Sequence, residues 1–257
     1  MNTLQYQRLP DVRPSAVLSD TRIACSNCSL ANICLPVGLP SNDMERLDHL
    51  IQHRPAIQRG GFLYQANTPF TSLYAIRRGF FKTLVLTRDG REQITGFHMP
   101  GDIMGINAIS SNQHPCFAVA LEDSEVCEIP FTRLESLTRE LPTLQRHLHC
   151  IMSREVVHDQ GMMMILGNMS AEERLAAFLM YLSMRYQVRG YARDHFHLAM
   201  TRGEIGNFLG MKLETVSRTF SKLHTRELIR VNKKRVELLD IDALKLLAND
   251  PHTRQLV

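Results

Sequence analysis

Thr201-Arg202-Gly203-Glu204-Ile205-Gly206-Asn207-Phe208-Leu209-Gly210-Met211-Lys212-Leu213-Glu214-Thr215-Val216-Ser217-Arg218 is the stretch whose reading decides the fold. Counted from Arg202, a glycine stands fifth, a second glycine ninth and a valine fifteenth. A helix-turn-helix needs these types for steric reasons. The fifth residue must be small where the helices cross, the ninth makes the tight turn, and the fifteenth locks the second helix onto the first. Ile205, Leu209 and Leu223 supply the buried faces. Downstream, β-like runs at Leu228–Val231 and Arg235–Leu239 flank Lys233-Lys234, a wing with basic side chains for phosphates. The second helix carries Glu214, Ser217 and Arg218 at i, i+3 and i+4, on one face near its N-terminal end. That end enters the major groove of double-stranded DNA in such domains. Arg218 suits guanine O6 and N7, Glu214 a cytosine amino group, and Ser217 a neighbouring base or phosphate. The plain alternative is an exposed Glu–Arg helix pair worth about 0.3–0.5 kcal/mol.

Upstream, Ser170-Ala171-Glu172-Glu173 has the form of a capping box opening a helix to about Val188. Before it, a long helix is expected from about Thr143 to Met169. Met152, Val156, Asp159, Met163 and Leu166 step along it by threes and fours, a coiled-coil-like seam for a parallel homodimer. In such a dimer each Asp159 meets its own copy, and the repulsion makes the dimer marginal, as a switch requires. The alternatives are a helix lying on its own β domain, or an Asp159 that faces solvent because the register is off by one.

Between Leu47 and about Phe131 the chain reads as short alternating strands. Phe81, Thr83, Val85 and Thr87 precede Asp89-Gly90, and Gln93, Thr95 and Phe97 follow it, which signals a hairpin whose two central positions tolerate positive φ. Gly60-Gly61, Gly79, Gly101 and Gly105 punctuate the rest at the interval of a β-sandwich or barrel. Residues 1–24 read as a loosely held leader. The class is α+β, divided as an N-terminal segment 1–45, a β-roll 46–140, a dimerisation helix 141–169 and a winged helix-turn-helix 170–257.

A net charge of +4 fits a nucleic-acid partner without establishing one, and 44% apolar residues with no tryptophan is ordinary. No run approaches the ~20 apolar residues of a membrane span, and Leu4 to Ser19 lacks a secretion pattern. The expectation is a cytoplasmic protein. With no nucleophile–base pair or phosphate loop, an enzyme is not expected.

Cysteines stand at 25, 28, 34, 116, 127 and 150. In a reducing cytosol they are metal ligands, redox thiols or small core residues, not disulfides. Cys25-x2-Cys28-x5-Cys34 is compact, and the loop around it offers little apolar surface to bury, so its thiols read as ligands. Zinc and iron–sulfur clusters both take four thiolates. Cys116, Cys127 and Cys150 are candidates for the fourth. Cys127 is mildly preferred because it lies in the strand-like Glu125-Val126-Cys127-Glu128-Ile129-Pro130. A zinc-stabilised or thiol-redox protein, or a small-molecule-gated regulator, stays open at this point.

The chain resembles the FNR-type (fumarate and nitrate reduction) oxygen regulators of the cyclic-AMP-receptor-protein superfamily over nearly its whole length. The segments that carry the resemblance are Cys-Ser-Asn-Cys-Ser-Leu-Ala-Asn-Ile-Cys from Cys25, Glu-Gln-Ile-Thr-Gly-Phe-His from Glu92, Val-Cys-Glu-Ile-Pro from Val126, Ala-Glu-Glu-Arg-Leu-Ala-Ala-Phe from Ala171 and Glu-Thr-Val-Ser-Arg from Glu214. The resemblance implies Cys127 as fourth ligand and a [4Fe–4S] cluster that oxygen converts to [2Fe–2S], weakening a homodimer. It implies Asp159 as the acidic dimer-helix position. It also implies Glu214, Ser217 and Arg218 as readers of inverted repeats of TTGAT-like half-sites, and a loop at Asp89-Gly90 presented to RNA polymerase. Cys116 and Cys150 stay unassigned. Where cyclic-nucleotide binders hold sugar and phosphate, this chain has Gly105-Ile106-Asn107 and Pro115-Cys116-Phe117. A phosphate there would go unpaired, so no cyclic nucleotide is expected.

Overall fold

The computed structural model describes residues 24–51 and 53–248, so the expected leader lies outside the described residues save Ala24. A chain of tight turns begins with a 3-10 turn at Cys25–Asn27 and leads to helix α1, Ser41–Asp48. Eight strands follow: β1 Ala56–Ile57, β2 Phe62–Tyr64, β3 Ser72–Arg78, β4 Phe81–Leu86, β5 Glu92–His98, β6 Ile103–Met104, β7 Phe117–Ala120 and β8 Ser124–Pro130. They form two antiparallel four-stranded sheets, ordered β1-β8-β3-β6 and β2-β7-β4-β5. Ile76, Phe81, Met104, Ala118 and Val126 join in a core drawn from both sheets. This is the β-roll the alternation foretold.

The Asp89-Gly90 hairpin forms, but not with two residues at positive φ. Gly90 alone is left-handed, at φ 83, and its N–H donates to the Thr87 carbonyl at 2.9 Å while the Thr87 N–H donates to Arg91 O at 2.9 Å. The loop is thus a type I turn closed by a glycine bulge. A second bulge between Thr83 and Leu84 reverses the alternation. The buried side of β5 is therefore Ile94 and Gly96, joined by Phe97, and not the Gln93-Thr95-Phe97 row of the sequence reading.

Helices α2, Phe131–Glu140, and α3, Pro142–Asn168, follow β8. Leu134, Leu137, Leu144 and Leu148 bury against Leu73 and Ile129 of the first sheet, and the cysteine loop and α1 close the same core with Leu35 and Leu39 and with Leu47. The long helix was legible; α1 and α2 were not. Helix α4, Ala171–Val188, starts on the expected capping box. Glu173 N–H donates to Ser170 Oγ at 3.4 Å, and Ser170 N–H donates to Glu173 Oε2 at 2.6 Å. Then come β9 His195–His197, α5 Arg202–Leu209, α6 Leu213–Thr225, β10 Ile229–Asn232, β11 Arg235–Leu238 and α7 Ile241–Ala248, with a β10-β11-β9 sheet. This unit does not stand apart. Its core is continuous with Leu84, Ile94 and Phe97 of the β-roll, where the Phe97 and Phe208 ring centres lie 5.0 Å apart.

Candidate functional site

Two sites stand at opposite ends of the chain. At the first, Cys25, Cys28, Cys34 and Cys127 line one cavity together with Leu30, Leu35, Leu47, Ile51, Ala75 and Ile129. Cys127 is placed by the β3–β8 ladder, in which it faces Ala75. The loop is placed by its own turns, Cys28 N–H to Cys25 O at 3.2 Å and Cys34 N–H to Leu30 O at 2.9 Å. It is also placed by its leucines, and here one argument from sequence fails. The loop buries Leu30, Leu35 and Leu39, so it does have apolar surface to hide. Convergence with Cys127, not poverty of core, is what singles the thiols out. The cavity is tight, with a volume of about 30 Å³. Among the described residues no group of three His, Cys, Asp or Glu side chains is drawn together tightly enough to hold one metal ion.

The cavity is electrostatically closed to free thiolates. Burial pushes the Cys34 thiol up to about 12, and neighbouring Cys127 and Cys28 reinforce this. Burial, then Asp48 and Cys34, pushes Cys25 up. Burial also raises Cys127, opposed by Arg54 beside it. Cys25, Cys34 and Cys127 therefore keep their protons at neutral pH, and any metal that binds must displace them. Asp48 accepts from the Cys25 N–H at 3.1 Å and from Arg54 at 3.3 Å, so one carboxylate ties the loop to the arginine next to Cys127. These second-layer partners were missed, since nothing in their spacing marks them. An iron–sulfur cluster suits this donor set, four thiols in an apolar shell with no competing nitrogen or oxygen ligand among the cavity walls except Arg77, which is never a ligand. Cys116 is buried elsewhere, accepting from Asn107 Nδ2 at 3.5 Å beside Tyr64, whose ring stacks on His114. Cys150 is exposed on α3.

At the second site the helix-turn-helix forms as spaced. Thr201 caps α5 through a reciprocal pair with Glu204, and Gly210 ends it at φ 63. Gly206 meets the turn so closely that a Cβ would lie 2.6 Å from Met211 O. Ile205, Val216 and Leu223 are fully buried. Glu214, Ser217 and Arg218 are all exposed on the first turns of α6. The wing turns at Lys233, φ 54, and only Lys233 of the pair is free to meet phosphate. Lys234 folds back and donates to Ala199 O at 2.9 Å. Exposed Lys212 and Arg235, beside the reading helix and on the wing, add the basic contacts that sequence reading did not name.

Between the sites runs α3. One side of it is buried through Leu144, Leu148 and Ile165, while Val156, Met163 and Leu166 are exposed together with Asp159. Met152 is half-buried on the β-roll side of the seam. The first half of the helix lies on its own β domain, as the plainer reading had it, and the apolar stripe proposed as a seam is bare in the single chain. Partial burial raises the Asp159 carboxyl above the ordinary range. No helix among the described residues is long and apolar enough to cross a membrane.

Residues 173–247 match the Crp-like helix-turn-helix domain and residues 55–140 the cyclic nucleotide-binding domain. The fumarate and nitrate reduction regulatory protein of Escherichia coli (strain K12) is 44% identical over 232 residues, covering 90% of this chain and 92% of that one. The transcriptional activator protein anr of Pseudomonas aeruginosa is 45% identical over 224 residues, covering 87% and 92%. Among solved structures, FixK2 from Bradyrhizobium japonicum superposes with a TM-score of 0.69 at 30% identity, covering 76% of this chain and 96% of that one. The fold, the DNA-reading unit and these relatives together make this chain a member of the Crp/FNR family of DNA-binding transcriptional regulators, of the fumarate and nitrate reduction type.

Proposed function

We propose that this regulator senses oxygen through a [4Fe–4S] cluster held by Cys25, Cys28, Cys34 and Cys127, and reads inverted repeats of TTGAT-like half-sites as a homodimer when oxygen is absent. The convergence of a three-cysteine loop and a single strand cysteine on one apolar cavity carries the reading. Tetrahedral zinc, with bonds of about 2.3 Å, would gather its thiolates to about 3.8 Å of one another. An iron–sulfur cluster would hold the same four thiolates further apart, and the metal and sulfide content decides between the two. When bound, the cluster supplies an oxygen-labile crosslink between the loop and β8. The chain's own part is to present four thiols, exclude water with Leu35, Leu47 and Ile129, and lose its loop-to-strand tie when the crosslink is converted. Such a loss weakens the α3 seam, because the first half of α3 packs into the same core as the loop. At the other end, Glu214, Ser217 and Arg218 read base edges, with Lys212, Lys233 and Arg235 on phosphates. The hairpin loop around Asp89 and Gly90, exposed and bound only to itself, is the surface offered to RNA polymerase.

The test is the iron, acid-labile sulfide and zinc content of protein purified without air. About four irons and four sulfides per chain are expected, with operator binding that air abolishes. One zinc and no sulfide would overturn the oxygen-sensing reading and leave the DNA-binding one standing.

A further inference from the structure

We infer that the turn Met99–Asp102 is the mechanical link through which the cysteine loop positions the DNA-binding unit within one protomer, without passing through the dimer seam. Three sets of contacts meet on these few residues. From the cysteine side, Ile33, the residue before Cys34, sits directly on Gly101. A Cβ at Gly101 would lie 2.8 Å from Ile33 Cδ1 and push that side chain aside, and the φ of +93 calls for glycine in any case. From the sheet, Gly101 N–H donates to Ile76 O at 2.8 Å and Ile76 N–H donates to Asp102 O at 2.9 Å. Ile76 and its neighbour Ala75, the partner of Cys127 in the ladder, are walls of the cysteine cavity. From the DNA-binding unit, Arg185 and Arg189 at the end of α4 both bind the Asp102 carboxylate, Arg189 Nη2 at 2.6 Å. Arg185 also donates to Phe97 O at 2.8 Å and Arg189 to Pro100 O at 2.5 Å.

The clamp is nearly dry: the Asp102, Arg185 and Arg189 side chains are 18%, 12% and 7% exposed. Charge-assisted bonds of this kind are strong and directional, and breaking one partner strands the others. A few residues away the same interface is pinned again. Asn207 of α5 accepts the Ile94 N–H at 2.6 Å and donates to Glu92 O at 2.8 Å, so the helix that carries the reading head is laid along the β5 edge. A displaced cysteine loop withdraws Ile33 from Gly101. The turn is then free to shift, and the clamp that holds α4, and α5 behind it, loosens. The inference rests on the cluster reading only for what moves the loop.

The experiment compares the full chain, prepared without air, with its Asp102→Asn and Ile33→Ala variants. Both variants are expected to keep iron, sulfide and dimer content, to bind the operator at least tenfold more weakly, and to exchange backbone amides faster at residues 185–189 and 92–97. Ile33→Ala leaves the clamp residues intact, so it answers the question even where Asp102→Asn fails to fold. The effects of Asp102→Asn and Arg189→Gln should be non-additive, as for members of one unit. Unchanged operator affinity and exchange in both variants overturns the inference. So does loss of iron and sulfide from Asp102→Asn, which would place Asp102 in cluster retention instead. A wild-type chain with zinc and no sulfide would sink the oxygen reading, yet the exchange comparison would still report on the clamp.

Discussion

Alanine at Gly206 is expected to destabilise the reading head, whereas alanine at Gly203 in the same helix is expected to stabilise it. At 206 the new Cβ would lie 2.6 Å from the Met211 carbonyl oxygen and 3.2 Å from Val216 Cγ2. Carbon and oxygen normally approach to about 3.3 Å, so the shortfall is about 0.7 Å. The turn cannot simply slide away, because Met211 N–H donates to the Gly206 carbonyl at 2.8 Å and Val216 is fully buried. Relief requires α5 and α6 to part, and overpacking of this kind costs about 1–3 kcal/mol. The helix itself gains about 1 kcal/mol from replacing glycine. The net loss is therefore up to about 2 kcal/mol, and about 1–3 kcal/mol relative to the Gly203 variant, with operator affinity falling as α6 tilts. Gly203 is exposed, and its Cβ would come no nearer than 3.9 Å to Thr201 Oγ1, so only the helix gain applies. Urea unfolding followed by circular dichroism gives the two signs directly. If Gly206→Ala proves as stable as Gly203→Ala, the close crossing that identifies the helix-turn-helix is wrong.

Four further outcomes follow from the same geometry. Arg218→Lys should relax base discrimination by about 1–3 kcal/mol per half-site, while Lys233→Ala should weaken all sequences alike and flatten the salt dependence by about 1.8 in slope, about 0.9 for each protomer; a uniform loss for Arg218→Lys would remove it from base reading. Cys127→Ser should abolish iron and sulfide, and Cys116→Ser should keep both, as read by metal and sulfide analysis; the reverse pattern would reassign the fourth ligand. Asp159→Ala should leave a dimer that persists in air, detectable by sedimentation, and an unchanged monomer–dimer balance would misplace the seam. Burial holds the His98 imidazole down at about 4, against about 6.5 when unfolded, so the unfolded chain binds more protons between these values. Stability should therefore fall as pH is lowered from about 6.5 to 4, by up to about 3 kcal/mol more than in His98→Gln, measured by urea midpoints of the metal-free chain.

The parts legible in the sequence are those whose causes are local. The Gly206, Gly210 and Val216 spacing, the Ser170–Glu173 box and the Cys25–Cys34 spacing each encode a short-range steric or capping need, and each appears in place. Helices α1 and α2 were not legible, because they are short and bury few residues, Leu47 in α1 and Leu134 and Leu137 in α2. The bulge at Thr83 and Leu84 defeated the parity of β5, since one extra residue turns every later side chain over. Asp102 and its arginines, more than eighty positions apart, could not be paired by any periodicity. The identity of the fourth ligand sits between these cases. Strand character favoured Cys127, but only the ladder with β3 aims it at the loop.

The bare stripe of α3 explains why so small a group as Asp159 can matter. Val156, Met163 and Leu166 are 57%, 66% and 37% exposed in one protomer. Full burial of such side chains is worth about 1.5–3 kcal/mol each from a fully exposed start, so about 1 kcal/mol each from half-exposure and about 6 kcal/mol for the six of a symmetric pair. Association costs at least about 4 kcal/mol in lost freedom, and by some accounts far more. The seam alone therefore stands near balance, and a dimer held by it is neither obligate nor negligible. Near balance, 1.4 kcal/mol is about a factor of ten in the dimer equilibrium. On the proposed reading, repulsion between two Asp159 carboxylates shifts this balance towards monomer, and a loop tied across the cysteine cavity, by ordering the first half of α3, shifts it towards dimer. An apolar residue at 159 would make the dimer indifferent to the loop, and a shorter stripe would leave no dimer to control. On the proposed reading, a single carboxylate in this stripe would keep the equilibrium where a change some distance away, among four thiols, can decide it.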